Sequence, residues 1–513
     1  MLDFLVLAVG SLPAFLALPN EVFADGWAWL GPLILAPVFW FTARKSPWVS
    51  AAGGALWVFL VTGLSQFWLL AFHPLAFPLV LVFQLPWYAG VFFLSSVLWR
   101  RLPGSALWWQ AVLWTVFEFL RIQSFFSNPY GALASAFWTW PVTFQSADLV
   151  GTSGLTFLLA WTSAWGVSWA ARSRPWAHLR LDLAVGLGLW AVDLGYGVWK
   201  LSAPVEGPHW RPVLVQQNQD PWKGGADAYE AGYEKLEALS RRALELKPDA
   251  VVWSETAFVP SVEYHTRYRD NPDSLRLVRR LEAFLASTPT PFLLGNDHRE
   301  KAPDGTVRDY NAVLAWDGGW KGRYEKNRLV PFTESFPLKE QLPWVYQWLK
   351  DADTHFWEPG RGRTLLTVGG VVAGTPICFE DAFPDGARAF SLAGARVLVN
   401  LTNDSWAPGV ASRIQHLSLA VFRTVETRLP LVRAGNDGAT AAISSRGEIL
   451  ARLPVGPEGI LPAEVRLGSG TTVYTGVGDA LPWALTGLLV GALLVALGRS
   501  VAGGSVVDKR RQL

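Results

Sequence analysis

Cys378, Glu255 and Lys326 are the residues of this chain whose types could act together as a catalytic set. Each lies just past a short apolar run. Glu255 sits in Val252-Trp253-Ser254-Glu255-Thr256-Ala257, and Lys326 in Tyr324-Glu325-Lys326-Asn327-Arg328-Leu329-Val330-Pro331-Phe332. Cys378 sits in Gly374-Thr375-Pro376-Ile377-Cys378-Phe379-Glu380. A thiol is a weak nucleophile until it is deprotonated. A carboxylate can take that proton. An ammonium can favour the thiolate and stabilise the oxyanion of a tetrahedral intermediate. The backbone N–H of Phe379 would be a second oxyanion donor. Taken singly, each residue has a plainer reading. A loop Glu or Lys is usually a solvated surface charge, and a lone Cys is as readily core filler. Spacing does not join segments this far apart. His416 is the rival base, but it falls in a helical stretch, 414–427, beside Leu417 and Ala420. A packed structural histidine is the favoured reading there. With one cysteine in 513 residues, an intrachain disulfide and a multi-cysteine metal site are excluded. No metal and no cofactor are expected.

The elements that must position this set lie between residues 201 and 479. Residues 213–215, 250–253, 292–294 and 397–400 read as strands, and 229–246 and 272–286 as helices. Alternating strands and helices predict an α/β domain. Near-continuous apolar strands suit a sheet covered on both faces. Sites in such folds gather at the carboxyl ends of strands.

The rest of the chain has a different texture. The sequence is 51% hydrophobic and only 17% charged, against about 25% charged in ordinary soluble domains. Apolar runs cover 2–18, 27–41, 49–72, 79–99, 106–120, 151–171, 183–199 and 480–497. Several have the ~20 residues that a bilayer crossing needs. Met1-Leu2-Asp3 has no basic n-region, so the first run does not read as a signal peptide. Of the 29 Trp, many lie near the ends of these runs, as indoles do at membrane boundaries. Three parts are expected: 1–200 as a helical membrane domain of about seven spans, 201–479 as the catalytic domain, and 480–513 as a last span with a basic tail.

Basic residues orient the spans. Arg44, Lys45, Arg100, Arg101, Arg172, Arg174, Arg180, Arg499, Lys509, Arg510 and Arg511 follow alternate runs. Lys and Arg mark the cytoplasmic side, so both termini are expected inside and the catalytic domain outside. Arg121, near Glu118, and Lys200 are exceptions that call for a partner or a headgroup. The net charge of +2 offers no argument for nucleic acid.

The Glu–Lys–Cys segments resemble the signature of the nitrilase superfamily. Joined to a multi-span region, they resemble the apolipoprotein N-acyltransferase family over nearly the whole chain. Further matching stretches are Glu118-Phe119-Leu120-Arg121, residues 324–338, Asn403-Asp404-Ser405-Trp406, Gln415-His416 and Arg433-Ala434-Gly435-Asn436-Asp437-Gly438. The resemblance implies an αββα sandwich beside an α-helical multi-span membrane domain. It implies Glu255 as general base, Lys326 as oxyanion-stabilising cation and Cys378 as nucleophile, supported by Glu334, Glu380 and the Phe379 N–H. Trp222, Trp344, Trp348 and Trp406 are the candidate lipid contacts. Trp344 and Trp348 fall in an aromatic stretch, 342–349, that reads either as a packed helix or as an interfacial lid.

The reaction so implied moves an acyl chain from a phospholipid, through a thioester, to the α-amine of a diacylglyceryl-cysteine on a lipoprotein. It implies a monomer in the bacterial inner membrane. Two departures stand out. Phe379 occupies a position where many relatives have Tyr, and Ser127-Asn128-Pro129-Tyr130 departs from the Gly-Phe-Pro-Trp expected of the membrane part. Other readings remain open. A membrane-tethered amidase would use the same trio with water as acceptor. A transporter or scaffold is disfavoured by the absence of an internal repeat.

Overall fold

A backbone surrounded by hydrocarbon must satisfy its own N–H and C=O groups, so long apolar runs become helices. The computed structural model describes residues 1–513 except 73–75, 125, 173–174, 221–222, 304, 352–354 and 511–513, with the backbone alone at 72 and 497–510. Arg174, Arg511 and part of the 73–78 link thus lie outside the described residues. The chain divides into two compact units.

The first unit comprises Met1–Ala203, Ala407–Ser418 and Gly476–Leu513. Three of its described helices, Pro47–Ser65, Ala76–Arg101 and Trp176–Ser202, are long and apolar enough to cross a membrane. Leu2–Ala17, Ala28–Arg44 and Ala480–Ala496 are shorter apolar stretches. The expected run at 2–18 breaks at Gly10 into helices Leu2–Val9 and Ser11–Ala17. Ala106–Gln123 and Ser153–Ala170 are 18-residue helices with most of their side chains buried.

Trp176–Ser202 is arranged opposite to a soluble helix. Its buried residues are Leu179, Asp182, Gly186, Asp193 and Gly197, while Leu181, Val185, Leu187, Val192, Val198 and Trp199 are exposed. An apolar outside and a small or polar inside is what lipid selects. The polar groups inside are paired: Asp182 accepts from Trp108 Nε1 at 2.9 Å, and Ser146 donates to Asp193.

Both charge exceptions have partners. Lys200 pairs with Asp148 at 3.1 Å. Arg121 donates to Tyr130 O at 3.1 Å, while Glu118 accepts from Trp114 Nε1, Leu133 N and Thr156 Oγ1. The segment Ala407–Ser418 is tied into this unit by its own polar contacts. Glu21 accepts from Val410 N and Ala411 N at 3.2 and 3.0 Å, at the N-terminus of helix Val410–Thr427. There a carboxylate meets free N–H groups and the positive end of the helix dipole. Gln415 Nε2 donates to Pro19 O and Ser65 O, and its Oε1 accepts from Trp68 Nε1.

The second unit, Pro204–Trp406 with Leu419–Thr475, contains two six-stranded sheets. One runs in the order Gly459–Pro462, Pro212–Gln216, Ala250–Val252, Phe292–Lys301, Val307–Trp316, Trp320–Glu325. The other runs Ile449–Arg452, Ala441–Ile443, Leu431–Gly435, Val397–Thr402, Val371–Gly374, Leu366–Val368. Each has three parallel strands at its centre and antiparallel edges. Thr440 Oγ1 donates to Gln216 Oε1 at 2.6 Å, linking the sheets.

Helices Ala226–Glu245 and Pro272–Ala286 cover the outer face of the first sheet. Tyr233, Leu236, Leu239, Leu277, Leu281 and Phe284 pack there against Val213, Val215, Val251, Trp253, Phe292 and Leu294. Burying one such side chain contributes roughly 1.5–3 kcal/mol. Helix Pro384–Leu392 accompanies the second sheet, so the layers are those of an αββα sandwich. The strand expected at 292–294 extends to Lys301, because 295–301 pair residue for residue with Val307–Val313 in an antiparallel ribbon. Its polar half, from Asn296 onward, lacks the apolar pattern of a buried strand.

Candidate active site

Glu255, Lys326 and Cys378 each follow a strand of this sandwich. Glu255 lies just past Ala250–Val252, Lys326 just past Trp320–Glu325, and Cys378 past Val371–Gly374. The trio expected from sequence comes together. Lys326 Nζ is 3.2 Å from Glu255 Oε1 and 2.6 Å from Glu334 Oε1. Its side chain is fully buried, at 0% exposure. The Cys378 sulfur feels both Lys326 and Glu255 electrostatically.

The backbone is strained next to Glu255, at Cys378 itself and in the loop between Lys326 and Glu334. Thr256 has φ 44°, Phe332 φ 66° and Cys378 φ 49°. Non-glycine residues rarely adopt this left-handed region, and such strain concentrates at functional sites. Gly295 makes room for the Glu255 turn. A Cβ there would collide with Ser254 O and Thr256 N, so only glycine allows that approach.

The Glu255 carboxylate is held on several sides. Asn311 Nδ2 donates to Oε1 at 2.7 Å, and Asn403 N donates to Oε2 at 2.7 Å. Glu334 Oε2 accepts from Val330 N at 2.8 Å, which fixes its other oxygen on Lys326. Burial pulls the Lys326 ammonium toward neutrality, but Glu255 and Glu334 outweigh it and raise its pKa well above the ordinary lysine value. Burial raises Glu334 above the usual carboxylate range, against the pull of Lys326. Burial, followed by the negative charge of Glu255, also pushes the Cys378 thiol well up. The resting sulfur is therefore protonated, and attack requires its proton to move to a base.

Glu380 holds the cysteine turn and the lysine loop together. It accepts from Ile377 N at 2.9 Å, Asn327 N at 2.8 Å, Arg328 N at 2.9 Å and Tyr324 Oη at 2.9 Å. Burial raises it in spite of the backbone donors. Asn400 Nδ2 donates to Pro376 O and Cys378 O at 3.2 and 3.0 Å, pinning the turn from the neighbouring strand. Arg433, fully buried, lies 3.4 Å from Asp381 and 3.1 Å from Asp404. The Phe379 N–H follows the thiol directly, and its ring meets Phe383 edge-on at 4.8 Å.

The candidate lipid residues fare differently. Helix Pro343–Asp351 has no buried residue, and Trp344 and Trp348 are 71% and 64% exposed. The same helix packs on its other side, where Tyr346 stacks on Phe356 at 5.4 Å and on Phe336 at 6.3 Å. Trp406 is half-buried. Trp222 lies outside the described residues. His416 is buried on helix Val410–Thr427 and belongs to the first unit.

Asn311, Asn400, Asp381 and Arg433 have no role assignable from sequence alone. Each is a polar residue buried in the sandwich. For Asn311, Asn400 and Arg433 the signal was a polar residue inside an apolar strand, which needs a specific partner.

An αββα sandwich with a cysteine on a strained turn, a buried lysine and paired carboxylates defines a nitrilase-type carbon–nitrogen hydrolase domain. Residues 214–474 match the carbon-nitrogen hydrolase family, and residues 13–165 match the apolipoprotein N-acyltransferase N-terminal domain. Apolipoprotein N-acyltransferase 1 of Treponema denticola is 36% identical over 507 residues, covering 93% of each chain. Its counterpart in Treponema pallidum is 34% identical over 494 residues, covering 90% of this chain and 89% of that one. The enzyme of Geobacter metallireducens is 34% identical over 395 residues, covering 75% and 72%. A solved nitrilase-superfamily amidase from Nesterenkonia matches at 18% identity and TM-score 0.39, covering 54% of this chain and 96% of its own. The chain belongs to the apolipoprotein N-acyltransferase family, a membrane-bound, N-acyl-transferring branch of the nitrilase superfamily.

Proposed function

We propose that this chain carries an acyl group from a membrane phospholipid to the N-terminal α-amine of a diacylated lipoprotein, through a thioester on Cys378. The observation that carries the reading is the buried contact of Lys326 with both Glu255 and Glu334, in electrostatic reach of the Cys378 sulfur. Glu255 takes the thiol proton as sulfur attacks the ester carbonyl carbon. The carbonyl oxygen becomes an oxyanion, stabilised by the Lys326 ammonium and the Phe379 N–H. Collapse breaks the C–O bond. The lysophospholipid oxygen leaves with the proton from Glu255, and a thioester remains. The acceptor amine then attacks that carbonyl and gives its proton to Glu255. The C–S bond breaks, an amide forms, and the sulfur regains its proton. Glu334 keeps the ammonium aimed, and Glu380 keeps the nucleophile turn against the lysine loop. Two moderate barriers thus replace one large one.

The reading includes a place and an organisation. Residues 1–200 and 480–513 form the membrane part and 201–479 the catalytic domain, apart from Ala407–Ser418, which belongs to the first unit. The chain is a multi-pass protein of the bacterial cytoplasmic membrane, with both termini inside and the catalytic domain outside. The ion pairs of Asp3 with Arg44 at 3.1 Å and Lys45 at 2.6 Å support this, since they put the N-terminal helix on the basic side. Pairing of Lys200 with Asp148 removes the main charge that would oppose it. Trp344 and Trp348 serve as lipid contacts.

The test is mass spectrometry of the purified protein after incubation with phospholipid vesicles. An acyl adduct on Cys378, discharged by a diacylated lipopeptide and absent in Cys378→Ser, is expected. Normal turnover by Cys378→Ser would sink the mechanism. Discharge by water in preference to the lipopeptide would identify an amidase-like hydrolase instead.

A further inference from the structure

The general base rests on an amide whose own orientation is set by a second carboxyl. On strand Phe292–Lys301, Phe292 and Leu294 face the helices. Leu293, Gly295 and Asp297 therefore face the opposite side, where Gly295 meets the Glu255 turn. Asp297 pairs in register with Asn311 on strand Val307–Trp316. Residues directly opposite on antiparallel strands have Cβ atoms about 4.5–5.5 Å apart, so the Asp297 carboxyl and the Asn311 amide are neighbours.

Asn311 Nδ2 is committed to Glu255 Oε1 at 2.7 Å. Its Oδ1 is buried without a donor, and so is Asp297 Oδ1. Buried acceptors without a donor on two cross-strand partners are costly, at about 1–3 kcal/mol for each unsatisfied group. An ionised carboxylate cannot supply that hydrogen, whereas a carboxylic acid can.

The charged groups around Asp297 favour the acid. They are Asp309 on the opposing strand, Glu255 on the turn, and Arg299 on its own strand. Arg299 is engaged with Asp309 at 2.6 and 3.2 Å, so it offers Asp297 little compensation. Burial, then Asp309 and Glu255, push Asp297 well above the carboxylate range, against Arg299.

We propose that Asp297 is a neutral acid whose O–H donates to Asn311 Oδ1, fixing the amide so that Nδ2 faces the Glu255 carboxylate. Asp297 is thus a positioning residue for the base. The inference rests on the reading of Glu255 as proton acceptor. Ionised, Asp297 would attract Nδ2 instead and turn Asn311 Oδ1 toward Glu255, two like-signed oxygens face to face.

The test is the rate of Cys378 thioester formation by the full-length enzyme in phospholipid vesicles, followed across pH. Wild type is expected to lose rate as pH rises through the Asp297 ionisation. Asp297→Asn carries a permanent donor. It should restore a rate close to that of wild type and lack this decline, while Asp297→Ala falls by about tenfold or more, the loss of one hydrogen bond to a charge-bearing network. Asp297→Asn as slow as Asp297→Ala, or with the wild-type alkaline decline intact, overturns the proposal. The comparison of wild type with Asp297→Asn stands even if Asp297→Ala does not fold. Glu255→Gln, measured in parallel, separates the two readings. Undiminished thioester formation there removes Glu255 as the base. An inactive Glu255→Gln together with a slow Asp297→Asn removes Asp297 alone.

Discussion

Replacing Glu380 by Gln changes one atom and should reach both reacting loops. The carboxylate receives three backbone N–H groups and the Tyr324 hydroxyl. An amide keeps one acceptor oxygen. If that oxygen serves Asn327 and Arg328, which share Oε1, the new NH₂ faces the Ile377 N–H that Oε2 now accepts. One buried N–H loses its partner and opposes a second donor, at a cost of about 1–3 kcal/mol. Two hydrogen bonds to a charged acceptor also become neutral, at roughly 0.5–1 kcal/mol each. The total is about 3 kcal/mol, relieved by moving the Ile377–Cys378 turn or the Lys326 loop. At about 1.4 kcal/mol per decade, this predicts roughly a hundredfold slower thioester formation. The assay is single-turnover acylation of Cys378 by phospholipid, read by intact-mass spectrometry, with thermal unfolding as a control. A Glu380→Gln enzyme acylating within threefold of wild type would refute the assignment of Glu380 as the tie between the loops.

Other expectations follow from the same geometry. Lys326→Met leaves Glu255 and Glu334 with no cation between them, so one must take up a proton; acylation should fall by about a thousandfold, measured by the same mass assay. Gly295→Ala should slow acylation by about a hundredfold with little change in lipid affinity, since a Cβ there displaces the Glu255 turn. Trp344→Ala with Trp348→Ala should raise the apparent KM for vesicle phospholipid several-fold and leave kcat nearly unchanged, because both indoles are exposed. Stability should also respond to pH through Asp297. Its folded pKa is raised, so its contribution is complete below the ordinary carboxylate range and is lost as pH rises through the folded value. Thermal unfolding of Asp297→Asn should therefore fall less steeply with alkali than that of wild type.

Much of this organisation is legible from residues alone, for identifiable reasons. The strands 213–215, 250–253 and 397–400 are continuous apolar runs because both faces of their sheets are covered, and helix 272–286 carries Asn271 as a cap and Pro272 at its first position. The trio could be matched because motif residues lie at strand ends. What escaped were residues whose roles depend on contacts distant in sequence. Asn311 and Asn400 look like interruptions of apolar strands until their partners at Glu255 and Cys378 are seen. The polar half of strand 292–301 carries no apolar strand signal, because its pairing with Val307–Trp316 requires no apolar alternation. The break at Gly10 is marked by the glycine and by Pro13, which has no N–H to bond the Val9 carbonyl and sits in the first turn of the next helix.

The seating of Ala407–Ser418 in the first unit bears on how this enzyme can be handled. That stretch lies inside the polypeptide that also builds the sandwich, yet its first helical N–H groups are bonded to Glu21 and its Gln415 amide to Pro19, Ser65 and Trp68. A soluble fragment cut at 204–475 would carry an amide and a helix start stripped of their bonding partners. Inhibitor screens and crystallisation trials should therefore begin from detergent- or nanodisc-borne whole chain, since an excised hydrolase module is the wrong reagent.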